Sequence, residues 1–85
     1  MIKREQKTFQ TYDVYLSAFL SLSGLPLTLE KINGSKIVFS FLVNDDLYPL
    51  MSNFNSNVNM PVGDFVTEVK KLRGQMLTMR GQIYK

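Results

Sequence analysis

The chain contains no cysteine and no histidine. Without cysteine there is no disulfide and no thiolate metal site. Without histidine, the usual zinc ligand and the usual general base at neutral pH are both missing. Long apolar runs are absent too. No stretch approaches the roughly 20 residues that a membrane span needs. The opening "MIKREQKTFQ" carries charges but no apolar core of signal-peptide length behind it. The five glycines are scattered and form no phosphate-cradling loop. Together these absences predict a non-enzymatic protein of the cytoplasm, with no metal, no cofactor and no membrane contact.

What is present is enough for one small domain spanning 1–85. The apolar fraction of 45% against 20% charged residues is that of a folded chain, not a disordered one. A domain of this size buries only about 60–65% of its unfolded surface, so its stability as a monomer is modest. Disulfides and thiolate or histidine metal sites are excluded, which leaves self-association as the usual supplement to a small core.

Net charge is +3, unevenly distributed. Residues 1–7 carry Lys3, Arg4 and Lys7 against Glu5. The stretch 8–64 is acidic, with two lysines against Asp13, Glu30, Asp45, Asp46 and Asp64. From 65 onward Lys70, Lys71, Arg73, Arg80 and Lys85 face only Glu68. Both ends are therefore basic, and residues 1–8 read as a basic arm outside the folded unit.

"TYDVYLSAFLSLSG" predicts a helix with Thr11 as N-cap, Asp13 in its first turn and Gly24 closing it. Its apolar residues, Tyr12 and Tyr15 included, cover more than one face, so it should be central and largely buried. Leu25, Leu27 and Leu29 then alternate with polar positions, as do Ile37, Phe39, Phe41 and Val43. Asn33-Gly34 marks the turn between these strands. A three-residue loop of Ile32, Asn33 and Gly34 pairs Leu29 with Ile37, Leu27 with Phe39 and Leu25 with Phe41, and sets Glu30 opposite Lys36. All the apolar residues then share one face. Asp45 or Asp46 should cap a short helix with a stripe of Leu47, Leu50, Met51 and Phe54.

The last segment starts near Pro61 and spaces Val62, Phe65, Val69, Leu72, Met76, Met79 and Ile83 alternately by three and four. That is a heptad seam, with the repeated Arg73-Gly74-Gln75 and Arg80-Gly81-Gln82 as its polar flank. The glycines weaken this helix and should end it near Gly81. The expected fold is thus α+β: helix, β-hairpin, short helix and long C-terminal helix, with the helices packed on one face of the hairpin.

The segments "KTFQTYDVYLSAFLSLSG", "IVFSF" and "FVTEVKKLRGQM" resemble a family of small bacterial and phage proteins catalogued as a domain of unknown function. The resemblance covers nearly the whole chain in order. It implies a compact α+β unit and an origin in a phage or mobile element, and it brings no catalytic or binding residue with it.

Several constellations carry chemistry only on one of two readings. Asp45, Asp46 and Asp64 suit a Mg²⁺ site, but carboxylates before apolar stripes are also what helix starts require. "KIVFSF" suits a base-stacking sheet, but its phenylalanines share the face of the leucines and belong to the core. The basic ends are the leading functional feature. Lys3, Arg4, Lys7, Lys70, Lys71, Arg73 and Arg80 could follow a phosphate backbone, against the plainer reading of a solvated face. The rival expectation is a protein–protein module that docks on a host protein as inhibitor or adaptor. Leu72, Met76, Met79 and Ile83 are the candidates for self-association into a homodimer.

Overall fold

A computed structural model of the chain describes residues 7–34 and 36–81. Six elements follow one another: β1 (Thr8–Thr11), α1 (Val14–Leu22), β2 (Leu27–Ile32), β3 (Lys36–Leu42), α2 (Leu47–Asn55) and α3 (Val62–Gly81). The fold is α+β, as its hydrophobic periodicity predicts, with one strand more than expected. β1 pairs antiparallel with β3, giving a three-stranded sheet of order β1-β3-β2.

The start of α1 differs from expectation. Thr11 belongs to β1, and Asp13 is the N-cap: its Oδ1 accepts from the N–H groups of Tyr15 at 2.9 Å and Leu16 at 3.1 Å. Thr11 instead uses its Oγ1 to accept from the Asp13 N–H at 3.0 Å, fixing the corner between strand and helix. At the other end Gly24 takes φ +102°, which a side chain would resist. Its N–H donates to the Ser21 carbonyl and that of Leu25 to the Leu20 carbonyl, so two otherwise orphaned acceptors are satisfied and Leu25 is folded back into the core.

The hairpin register is a second correction. Leu27 faces Phe41, Leu29 faces Phe39 and Ile32 faces Lys36, two residues away from the expected pairing. Glu30 faces Val38 rather than Lys36, and its carboxylate accepts from the Gln10 side chain at 3.3 Å across the central strand. Ile32 therefore extends β2 instead of entering the loop. Asn33 and Gly34 both take positive φ, which asparagine tolerates better than most residues. An even shift leaves every side chain on its expected face, so the core face is unchanged.

That core face carries Phe39 and Phe41 at its centre, against Leu16, Phe19 and Leu20 of α1, Leu47 of α2, and Val69 and Leu72 of α3. α2 begins after Asp46, whose carboxylate makes no capping bond; Asn44 accepts from the Asp46 N–H at 2.9 Å instead. Leu50, Met51 and Phe54 complete its inward stripe. α3 follows Pro61 and runs unbroken through Gly74 to Gly81. It lies over the sheet and against α1, where the Ser21 hydroxyl donates to the buried Glu68 carboxylate at 2.9 Å.

Candidate functional site

The chemistry-bearing surface of α3 is set by which of its flanks the core leaves uncovered. Val69 and Leu72 point inward, with Phe65 and Met76 packed beside them. One flank then carries Val62, Val66, Arg73, Leu77 and Arg80, spaced by four, seven, four and three residues. Val62 is 75% exposed and Leu77 60%, in a domain whose remaining apolar residues mostly turn inward.

α1 runs alongside this flank and contributes Tyr15, and the corner before it contributes Tyr12. The Arg73 guanidinium lies 5.3 Å from the Tyr15 ring centroid and donates to the Tyr15 hydroxyl at 2.8 Å. The same ring stacks on Phe65 at 6.3 Å between centroids. Arg73 is thereby held in place by an aromatic partner instead of being neutralised by a carboxylate. At the far end of the flank, Tyr12, Lys36, Ile37 and Arg80 surround a hollow of about 160 Å³, with the Lys36 ammonium 5.6 Å from the Tyr12 ring centroid.

Where α1, α2 and the start of α3 diverge, a cavity of about 390 Å³ opens beside Tyr15. Phe19 and Phe54, in contact at 5.5 Å between centroids, form one part of its wall, and Tyr15 with Phe65 another. Val62 and Met60 line its mouth. No charged side chain lines it. Size and lining fall within the range of small binding pockets, in which apolar walls dominate and a few polar groups set orientation.

The expected basic set does not converge on one surface. Lys7 precedes β1 at the end of the sheet where its carbonyl accepts from the Val43 N–H, whereas Arg80 lies with Lys36 at the other end of β3. At strand rise the two ends are roughly 20 Å apart. Lys71 pairs with Glu68 at 3.3 Å and lines a separate groove against β2. Lys70, Arg73 and Arg80 stay exposed. Lys3 and Arg4 lie outside the described residues.

The self-association set is also redistributed. Leu72 is 1% exposed, a core residue with nothing to offer a second chain. Met76 packs against the core, and Met79 lines the groove beside β2. Ile83 lies outside the described residues. One turn past Leu72, Met76 is expected from the sequence to project beyond a small core; it packs against that core instead, where α3 lies over β2 and β3. The exposed end of the seam is Val62, which the sequence places among its covered positions. Tyr12 and Tyr15 are likewise 59% and 47% exposed, not buried. Their sequence signal is their position at the start of α1, Tyr12 before its N-cap and Tyr15 in its first turn, ahead of the buried run from Leu16 to Leu20.

Among the described residues no group of three or more carboxylates gathers into a cation cage, and no helix is long and apolar enough to cross a membrane. Comparison with protein families gives one match: the family model of a domain of unknown function, DUF5659, aligns with residues 6–78. Comparison with the curated proteins and with the solved structures gives no match.

Proposed function

The chain belongs to the DUF5659 family, whose description carries no activity, and we propose from its geometry that it is a non-enzymatic accessory protein that docks on another protein through the outer flank of α3. The observation that carries this reading is the mixture on that flank. Val62, Val66 and Leu77 are exposed beside Arg73 and Arg80, with Tyr12 and Tyr15 alongside. Contiguous exposed apolar residues mark interfaces, and tyrosine and arginine are over-represented among residues that dominate binding energy. Exposed valine and leucine contribute nothing to a phosphate backbone. In the same reading the protein acts in the cytoplasm of a bacterial host, encoded by a phage or mobile element.

A second reading, phosphate binding, draws on the cations. Among the described residues Lys36, Lys70 and Arg73 make no ion pair, and Arg80 shares their side of the molecule. Such binding would be insensitive to sequence and would fall steeply as salt rises. One experiment separates the two. The immobilised protein and its Val62→Glu/Leu77→Glu variant are incubated with bacterial lysate, with and without nuclease. Docking predicts a protein retained after nuclease and lost with the variant. Retention that vanishes with nuclease and persists in the variant transfers the function to nucleic acid.

A further inference from the structure

Resting on that docking reading, we infer that the partner presents an acidic amphipathic helix, which seats one large apolar side chain in the aromatic cavity and aligns carboxylates with Arg73 and Arg80. Three observations converge on this chemistry. The cavity of about 390 Å³ is lined without a charged side chain, so the group that enters it must be apolar. Its lining shares Val62 with the flank that carries the two arginines, and shares Tyr15, on whose ring Arg73 sits. Of the charges of α3, that flank carries Arg73 and Arg80: Asp64, two residues past Val62, falls on the far side of the helix, and Glu68 is buried against Ser21 and Lys71.

The spacing specifies the occupant further. At helical rise Arg73 lies about 12 Å beyond Phe65, and Arg80 about 10 Å beyond Arg73. A helix lying along α3 would meet them with acidic residues seven apart and its apolar anchor about two turns earlier, the arrangement of a helix set into a groove. Arg73 is suited to hold such a carboxylate. It spends one of five N–H donors on the Tyr15 hydroxyl and is oriented by the ring beneath it. A second copy of this chain is the wrong occupant, because its own α3 flank is cationic too and brings no carboxylate to Arg73 or Arg80.

The probe is a display library of random helical peptides, selected in parallel on the intact chain, on Val62→Glu and on Arg73→Glu/Arg80→Glu. All three substitutions are at exposed positions, and a melting curve for each confirms folding. The intact chain should enrich peptides that combine a Phe, Leu, Met or Trp anchor with Asp or Glu about two turns away. The arginine double variant should enrich Lys or Arg in their place and bind the acidic peptides roughly tenfold more weakly or worse. Enrichment without an acidic bias, or the same peptides on both of these baits, overturns the assigned chemistry and leaves docking standing. No enrichment beyond that on Val62→Glu overturns both.

Discussion

Leu72 and Gly74 stand two positions apart on α3 and should respond oppositely to alanine. Leu72 is sealed in the core against both the sheet and α1, and truncating it leaves a cavity the surroundings cannot fill. Leu72→Ala should cost about 2–5 kcal/mol in denaturant unfolding. Gly74 is an exposed helix-interior residue whose added Cβ meets nothing within 4 Å, so Gly74→Ala should gain about 1 kcal/mol. Gly24 is the counter-case. It also has open space around it, but at φ +102° an alanine is strained, and Gly24→Ala should lose stability. A neutral Leu72→Ala would mean that the seam is an unfilled interface after all. Position along the chain already separates these glycines, Gly24 closing α1 and Gly74 interior to α3; the structure adds the backbone angle that makes the difference physical.

At the scale of elements, legibility follows periodicity. The apolar alternation of β2 and β3 specifies which residues share a face, yet it is blind to a shift by two, because such a shift preserves every face. The turn decides the shift, and Asn33 beside Gly34 permits either choice. β1 was out of reach for another reason. "TFQT" offers a single apolar residue, Phe9, and becomes a strand only because the edge of β3 is available to pair with it. The consequence is measurable by hydrogen exchange. With neighbours on both sides, the amides of β3 from Phe39 to Phe41 should all be protected, and more strongly than those of β2, which has a free edge. Fast exchange at alternate β3 amides would indicate a two-stranded hairpin and would remove β1 from the sheet. The α3 seam was legible as a seam but not in its destination. A heptad records that one stripe is buried; it does not record whether the covering surface belongs to the same chain.

For the whole molecule that ambiguity becomes a question of oligomeric state. The homodimer expectation rests on Met76, Met79 and Ile83 projecting beyond Leu72, past a core too small to use them. α3 lies over β2 and β3, and these strands with α1 take up Leu72 fully and Met76 in large part. What remains uncovered is the adjoining flank, where Val62, Val66 and Leu77 alternate with Arg73 and Arg80. Apolar contact between two such flanks would favour pairing, but it would bring at least four guanidinium groups together with few acids to offset them. Desolvating like charges at an interface costs several kcal/mol, against roughly 25 cal/mol per Å² of apolar surface removed from water. The balance therefore favours a monomer that stays available to an acidic partner. Light scattering should give the mass of one chain up to high micromolar concentration, and Met79→Glu should leave it unchanged. A dimer that dissociates on Met79→Glu would restore the C-terminal seam. One that dissociates on Val62→Glu instead, and tightens as salt screens the arginines, would make the flank of α3 its own partner.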